Sequence, residues 1–245
     1  MGDAKALTVY DWDVFADAAL ILADLDGCLI SGATVLDGVA DLFAQFGEKI
    51  AVVSNNSEDT SGTLTKRLAQ LGLALSPTSS FLAGEQAVKQ LATTHPDARV
   101  TLYASQAIVD VAAQLGIELV PASAKPDRVL LARDVTFTFG DLSDLMGLAG
   151  EGTPVWLTNP DPSHPRPDGG LVPETGALWA AVAAATNTTP ERVIGKPEPL
   201  LLTEALTQFG VLAKNAVMIG DTAATDGAAA HAAGVRFFHV DQRRR

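Results

Sequence analysis

A short apolar run, residues 18–23, ends abruptly in the hexapeptide DLDGCL, which spans residues 24–29. The apolar residues predict a buried strand, and aspartate is depleted in strands. Asp24 and Asp26 are like charges close together, so each raises the free-energy cost of ionising the other. The pattern is understandable if a cation lies beside the pair, with one carboxylate acting as a nucleophile and the other transferring protons. A strand that ends in an Asx-type turn is the structural alternative for the hexapeptide taken alone.

Short apolar runs alternate with helical patterns along the chain, which predicts repeated βα units and an α/β fold. We predict a core with a Rossmann-like, doubly wound parallel sheet. Two discontinuous segments, 1–76 and 190–245, form this core, and residues 77–189 form a second α/β domain inserted between them. The loop 158–170 within the insertion is dense in proline, aspartate and glycine, so it is a candidate binding loop.

Composition and charge disfavour several classes of partner. The formal net charge is −12, which makes nucleic acid and anionic membranes unfavourable partners. We find neither a secretory signal pattern nor an apolar run of the ~18 residues that a membrane span needs. We therefore expect a cytoplasmic protein with no nucleic-acid or membrane partner. The single cysteine, Cys28, is predicted to pack as a small buried hydrophobe, with a redox switch as the alternative.

Two further polar motifs are candidates for phosphate binding, because ligands gather at the carboxyl ends of parallel strands. Ser54 and Asn55 follow an apolar run and offer a hydroxyl and backbone N–H groups to phosphoryl oxygens. A helix N-cap is the alternative there. Lys196 precedes Pro197, which biases the lysine to an extended conformation and directs its ammonium from a loop. An ordinary surface lysine is the alternative.

The acids Asp221 and Asp226 complete the set of motifs. Asp221 comes soon after the apolar strand predicted at 216–219, and Asp226 lies in the segment that follows. Magnesium prefers carboxylate and water oxygens, so Asp221 and Asp24 are candidate ligands. Helix capping by acids in the first turn is the alternative for Asp221 and Asp226. The four motifs in this order, each at a predicted strand end, together favour a site that binds metal and phosphate.

The motifs resemble those of the haloacid dehalogenase (HAD) superfamily of phosphatases. DLDGCL matches the first motif of that superfamily, VVSNNS the second, IGKPEP the third and IGDTAATD the fourth. The insertion resembles the large α/β cap, a substrate-specificity domain, of the branch that contains NagD, para-nitrophenyl phosphatases and pyridoxal phosphate phosphatases. WLTNPDPSHP and the later GAL match that cap, whereas PETG at 173–176 departs from the more glycine-rich turn usual there.

The resemblance implies a catalytic role for each core motif. Asp24 attacks phosphorus and becomes an aspartyl phosphate. Asp26 protonates the leaving oxygen and then deprotonates the water that cleaves the intermediate. Ser54, the Asn55 amide and Lys196 hold the phosphoryl oxygens.

The resemblance also implies a magnesium cofactor. Mg²⁺ is bound by Asp24, by the main-chain carbonyl of Asp26 and by Asp221, and it neutralises charge during the attack on phosphorus. Asp226 orients metal-bound waters or Lys196 without binding the metal itself.

In the cap, Asn159, Asp161 and His164 are candidates for substrate contact, because the loop that carries them is expected to lie over the site; loop-stabilising turns are the alternative. The expected partner is a small phosphorylated metabolite, for which pyridoxal phosphate, a nucleotide, phosphoglycolate and a sugar phosphate are all candidates. Formation of a homodimer through the cap is a further hypothesis.

The expected function is therefore Mg²⁺-dependent hydrolysis of phosphomonoesters. Two alternatives on the same fold are a phosphotransferase, which differs only in the acceptor, and a catalytically silent phosphate-binding regulatory protein. A silent protein need not keep both Asp24 and Asp26. A true dehalogenase is disfavoured, since dehalogenases lack an acid at the position of Asp26.

Overall fold

The chain forms two compact units in the computed structural model, which describes residues 13–165 and 170–240. Within those residues the first unit contains 13–54, 61–82 and 196–240. The second unit contains Asn55–Thr60 and Ala83–Gly195.

The elements of both units are numbered in chain order. The strands are β1 (Leu20–Ala23), β2 (Ile30–Ser31), β3 (Thr34–Val35), β4 (Ile50–Ser54), β5 (Ser80–Leu82), β6 (Arg99–Tyr103), β7 (Glu118–Leu119), β8 (Arg128–Leu131), β9 (Val155–Leu157), β10 (Ser163–Pro165), β11 (Leu171–Pro173), β12 (Arg192–Val193), β13 (Ala216–Gly220) and β14 (Arg236–His239). The α-helices are α1 (Asp13–Ala16), α2 (Val39–Phe46), α3 (Ser61–Gln70), α4 (Ala83–Thr94), α5 (Gln106–Gln114), α6 (Phe139–Gly150), α7 (Thr175–Thr186), α8 (Leu200–Phe209) and α9 (Ala228–Ala233). No helix among the described residues combines the length and the apolar character that crossing a membrane requires.

The first unit is built on a parallel sheet with strand order β14-β13-β1-β4-β5. Successive residues of a strand point to opposite faces of the sheet. Ile21 and Ala23 of β1 pack in one cluster with α2 and α3. Leu20 and Leu22 point the other way and are also fully buried, and α8 packs against β1, β4 and β5. The α/β class and the doubly wound parallel core that the sequence predicts are thus confirmed.

The second unit is built on another parallel sheet, with strand order β12-β9-β8-β6-β7. Helices α6 and α7 cover it through a cluster that includes Val129 and Leu131 of β8, Leu145 of α6 and Val182 of α7. Strands β10 and β11 pair with each other as a separate antiparallel ladder. The insertion therefore carries an α/β core of its own.

The boundaries of the two units differ from the predicted 77–189. Residues 80–82 form β5, which pairs with β4 and so belongs to the first unit. Residues 192–193 form β12, which pairs with β9 and extends the second unit to Gly195. Segment 55–60 joins the second unit although the predicted boundary places it in the core. Strands of two or three residues are too short to show a hydrophobic period, which is why the sequence pattern does not reveal them.

The candidate binding loop, 158–170, is more regular than its composition predicts. Its residues 163–165 form β10, in register with Leu171–Pro173 of β11. Residues 166–169 of the predicted loop lie outside the described part of the chain.

Candidate active site

Three neighbouring strands of the first unit bring the predicted core residues to one edge of the sheet. Strand β1 lies between β13 and β4, and all three are parallel. Asp24 directly follows β1, Asp221 directly follows β13, and Ser54 is the last residue of β4. The Asp24 N–H donates to the carbonyl of Ile219 at 2.9 Å, which continues the ladder to the aspartate itself. These three side chains therefore start from adjacent strand ends, where open α/β sheets bind ligands.

Lys196 is buried in the middle of this cluster. Its Nζ donates to Asp24 Oδ1 at 2.5 Å, to Asp226 Oδ1 at 2.6 Å and to the Val53 carbonyl at 3.0 Å. The residue is only 2% exposed. An ammonium has three N–H donors, so this environment supplies an acceptor for each of them. The alternative interpretation of Lys196 as an ordinary surface lysine is wrong.

Burial and the neighbouring opposite charge have opposing effects on the pKa values of Asp24 and Lys196. Burial raises the pKa of the Asp24 carboxyl to about 7, although Lys196 acts in the opposite direction, and Asp226 and Asp26 raise it further. Burial disfavours the ammonium of Lys196, but the carboxylates of Asp226 and Asp24 outweigh that effect and raise its pKa above the ordinary value. Lys196 therefore stays charged, while the excess of carboxylates disfavours ionisation of Asp24.

The donor set at this edge fits a hard divalent cation. Carboxylate oxygens of Asp24, Asp221 and Asp226 lie within 4.8 Å of one another. Oxygen ligands of this kind are those that Mg²⁺ and Ca²⁺ take. Three carboxylates against the single ammonium of Lys196 also leave an excess of negative charge, which a divalent cation would neutralise.

Asp221 and Asp226 are oriented by their own hydrogen bonds. Asp226 is 1% exposed, and its Oδ2 accepts from the Thr222 N–H at 3.1 Å while Oδ1 accepts from Lys196. Both oxygens are thus engaged, which suits the predicted orienting role. Oδ1 of Asp221 accepts from the Thr222 hydroxyl at 2.9 Å. The carbonyl of Asp221 accepts from His239 Nε2 at 2.7 Å, so His239 also supports this loop.

Two glycines make room for these carboxylates. Gly27 has φ of +82°, and a Cβ there would collide with the Asp221 carboxylate. A Cβ on Gly220 would collide with the carboxylate of Asp226. Neither glycine is among the predicted site residues. The signal was available, since one glycine follows Asp26 directly and the other precedes Asp221.

Asp26 differs from the other acids because it is exposed. It lies in a turn that is closed by the Gly27 N–H, which donates to the Ile30 carbonyl at 2.8 Å, and the β2–β3 hairpin follows at once. Asp26 is thus open to solvent, whereas Asp24 is buried.

Cys28 belongs to the hydrophobic core and is 2% exposed, as the packing interpretation predicts. Burial, followed by the charges of Asp24, Asp226 and Asp221, raises the pKa of its thiol well above the ordinary value. Since the thiolate is the reactive form, this environment makes Cys28 unreactive.

The remaining predicted residues lie in the second unit, which begins at Asn55. Asn55 Nδ2 donates to Asp161 Oδ2 at 2.8 Å, and Asn159 Nδ2 donates to the Asn55 carbonyl at 3.0 Å. His164 pairs instead with Glu174, with Nδ1 and Oε1 at 2.6 Å. The structure therefore brings Asn55, Asn159 and Asp161 together and gives His164 a different partner.

Comparison with known proteins identifies the relatives of this chain. The family model for haloacid dehalogenase-like hydrolases matches residues 21–118, and a HAD-hydrolase-like model matches residues 193–242. The chain is 31% identical to D-glycerol 3-phosphate phosphatase of Mycobacterium tuberculosis over 88% of its own length and 60% of that protein. It is 30% identical to dihydroxyacetone phosphatase of Corynebacterium glutamicum, over 84% of this chain and 74% of that protein.

Solved structures give the same picture. The 4-nitrophenylphosphatase of Thermotoga maritima superposes with a TM-score of 0.84 at 26% identity, covering 91% of this chain and 86% of the other. The glycerol phosphate phosphatase of M. tuberculosis, solved with magnesium, superposes with a TM-score of 0.84 at 28% identity, covering 91% of this chain and 68% of the other.

Replacing Gly220 by alanine tests the packing of Asp226. The added methyl group collides with the carboxylate that accepts from Lys196, so we expect the free energy of unfolding to fall by about 1–3 kcal/mol. Gly47→Ala is the matched control, because Gly47 has helical torsions and open space around its Cβ position. Urea denaturation of both variants measures the difference. A Gly220→Ala protein as stable as the Gly47→Ala protein would contradict this account.

Replacing Asp24 by asparagine tests the electrostatic account in protein freed of divalent cations. Since burial raises the pKa of Asp24 to about 7, its contribution to stability is complete below its unfolded pKa of about 3.9 and is lost as the pH rises through 7. We expect the stability of the wild type, relative to that of Asp24→Asn, to fall by more than about 1 kcal/mol between pH 4 and pH 8. The pH dependence is compared because the asparagine also removes a carboxylate partner of Lys196. Urea denaturation in EDTA at several pH values measures the free energy of unfolding, and a difference between the two proteins that does not change with pH would refute the argument.

Proposed function

The chain belongs to the haloacid dehalogenase-like hydrolases of the NagD and para-nitrophenyl phosphatase type, and from this premise we infer that it is a Mg²⁺-dependent phosphomonoesterase. One observation carries the proposal. Asp24 is buried at a strand end, hydrogen-bonded to Lys196, with oxygens of Asp221 and Asp226 within 4.8 Å in the same carboxylate cluster. A buried carboxylate, an ammonium fixed beside it and further carboxylate oxygens thus lie at one edge of the sheet, and they support a nucleophile with a metal site next to it.

In the proposed first step, an Asp24 oxygen attacks phosphorus, and the bond from phosphorus to the ester oxygen breaks. Lys196 holds Asp24 Oδ1, which restricts the rotation of the carboxylate before the attack. Asp26 gives its proton to the departing oxygen. The products of this step are the free alcohol and an aspartyl phosphate on Asp24.

In the proposed second step, the Asp26 carboxylate takes a proton from water. The water oxygen bonds to phosphorus, the bond to Asp24 breaks, and inorganic phosphate is released. The exposed position of Asp26 supports this role, because the group must exchange its proton in each cycle.

The phosphoryl oxygens are held by fixed donors in this proposal. The Ser54 hydroxyl, the Asn55 amide and the Lys196 ammonium are the donors. A bound Mg²⁺, with Asp24, the main-chain carbonyl of Asp26 and Asp221 as its protein ligands, would neutralise charge on the phosphoryl group. Asp226 keeps Lys196 in place through its 2.6 Å contact.

We propose small sugar and triose phosphates as the substrate class. The support is the set of relatives, which are named for D-glycerol 3-phosphate and for dihydroxyacetone. Measurement of kcat/KM on glycerol 3-phosphate, dihydroxyacetone phosphate, hexose phosphates, pyridoxal phosphate, nucleoside monophosphates and phosphoglycolate tests this choice. The proposal would be overturned by a higher kcat/KM on pyridoxal phosphate, a nucleoside monophosphate or phosphoglycolate than on the sugar and triose phosphates.

Replacing Asp24 by asparagine should abolish the hydrolysis of para-nitrophenyl phosphate, because an amide cannot form the acyl phosphate intermediate. We expect a loss of at least about 10⁴-fold in kcat, the scale seen when a covalent nucleophile is removed. Asp41→Asn, an exposed aspartate of α2, is the matched control and should keep full activity.

Full activity of the Asp24→Asn protein would contradict the mechanism, and an inactive wild type would favour the silent phosphate-binding alternative. A phosphorylated alcohol formed in the presence of glycerol, detected by ³¹P NMR in place of free phosphate, would favour a phosphotransferase.

Mg²⁺ should stabilise the wild type against heat, since a ligand that binds only the folded state adds about 2.7 kcal/mol at 100 times its Kd. Asp221→Asn removes one of the clustered carboxylates, so the rise in Tm on adding Mg²⁺ should be largely lost. Thermal unfolding in EDTA and in MgCl₂ measures this, with Asp41→Asn as control. An equal rise in Tm for Asp221→Asn would exclude Asp221 as a ligand.

A further inference from the structure

The segment 55–60 follows Ser54 directly but is bound into the second unit. Three hydrogen bonds from different parts of that unit hold it. They run from the Gly84 N–H to the Asn56 carbonyl (3.2 Å), from the Ser105 hydroxyl to the Glu58 carbonyl (2.7 Å) and from the Arg133 N–H to Ser57 Oγ (3.1 Å). The Arg133 side chain also forms an ion pair with Glu58.

Asn55, the first residue of this segment, is bound by the side chains of Asn159 and Asp161. Asn159 Nδ2 donates to the Asn55 carbonyl at 3.0 Å, and Asn55 Nδ2 donates to Asp161 Oδ2 at 2.8 Å. The Asp161 N–H in turn donates to Asn159 Oδ1 at 3.1 Å, which closes a ring of three hydrogen bonds. Asn159 is 1% exposed. A side chain this closely covered offers almost no surface for a substrate contact.

Gly195, which directly precedes Lys196, is held by Thr158 and lies against Asn55. The Gly195 N–H donates to the Thr158 carbonyl at 2.8 Å. A Cβ on Gly195 would collide with Asn55 Oδ1, so the backbone of Gly195 lies directly against the Asn55 side chain. Asn55 and Gly195 are the residues bonded to Ser54 and Lys196, respectively.

We propose that Asn159 and Asp161 are positioning residues for phosphoryl binding, and that they act through Asn55 rather than by touching the substrate. Hydrogen bonds to both the carbonyl and the side chain of Asn55 hold its Cα in place, and with it the backbone nitrogen that is bonded to this Cα. The proposal rests on the proposed function, since it assigns these residues to the phosphate-binding step of that reaction.

A positioning role and a substrate contact have different kinetic consequences. The phosphoryl group is common to all substrates, so a misplaced Asn55 weakens the binding of every substrate and of inorganic phosphate by the same factor. A contact to the rest of the substrate would instead change the ratio of kcat/KM between substrates and leave the binding of inorganic phosphate unaltered.

The experiment compares Asp161→Ala, Asp161→Asn and Asn159→Asp. Asp161→Ala removes the acceptor for Asn55 Nδ2, whereas Asp161→Asn keeps an amide oxygen that accepts. Asn159→Asp removes the donor to the Asn55 carbonyl but keeps an acceptor for the Asp161 N–H. Asp110→Ala is the matched control, because Asp110 also accepts from a side-chain amide, that of Gln106 at 2.8 Å, on an exposed helix face.

The readouts are the inhibition constant of inorganic phosphate against para-nitrophenyl phosphate, and kcat/KM on that substrate and on glycerol 3-phosphate. We expect Asp161→Ala and Asn159→Asp to raise the inhibition constant about ten- to hundredfold, with the ratio of the two kcat/KM values unchanged. Asp161→Asn should restore most of the loss, and Asp110→Ala should match the wild type.

A double-mutant cycle tests whether Asp161 acts through Asn55. If Asp161 acts through Asn55, adding Asp161→Ala to Asn55→Ala should cause little further change, so the two effects are not additive. Additive effects, an altered substrate ratio with unaltered phosphate inhibition, or wild-type behaviour of both variants would each overturn the proposal. If Asp161→Ala fails to fold by circular dichroism, the comparison of Asn159→Asp with Asp161→Asn decides.

Failure of the proposed function is a separate result. A wild type that hydrolyses no phosphomonoester would refute that function. The positioning role would then be judged by calorimetric titration of inorganic phosphate with Mg²⁺ into the wild type and Asp161→Ala. Equal affinity, or no binding to the wild type, would overturn it.

Discussion

The buried ammonium of Lys196 is the interaction on which the arrangement of the active-site acids depends. Taking an ammonium out of water costs several kcal/mol, and carboxylate partners with good geometry offset that cost. Asp24 and Asp226 are those partners, at 2.5 and 2.6 Å. Each acid also needs the lysine, because without it two carboxylates would face each other in the sheet edge. The lysine and the two acids therefore stabilise one another. The negative charge that remains favours the binding of a divalent cation.

The parallel sheet determines where the active-site acids lie, and two glycines leave space for their side chains. Parallel strands β13, β1 and β4 end at the same edge, so their following residues converge without any special loop conformation. Close approach of the acids is a different requirement. It depends on the absence of a Cβ at Gly27 and Gly220, each of which faces a carboxylate. The glycines in the motifs are thus as much part of the electrostatic design as the acids are.

The sequence predicts those features that are local. The buried strands, the acids that follow them and the doubly wound core can be predicted from the apolar runs and the polar residues that end each run. The positions of the unit boundaries depend on pairing between distant strands, such as β5 with β4. The hydrogen bond between Asn55 and Asp161 joins residues 106 positions apart. No periodicity records such a contact, so the sequence predicts the polar residues but not their partners.

This difference matters for inferring specificity from the insertion. The sequence predicts Asn159 and Asp161 as substrate contacts because their loop is expected to lie over the site. Their polar atoms instead bind Asn55 and each other, so within this loop they serve the segment that carries the phosphate-binding motif. His164, whose side chain is 44% exposed and paired with Glu174, has no such link to Asn55 among the described residues. If Asn159 and Asp161 act only through Asn55, as we propose, they affect all phosphomonoesters alike, and discrimination between substrates depends on other residues.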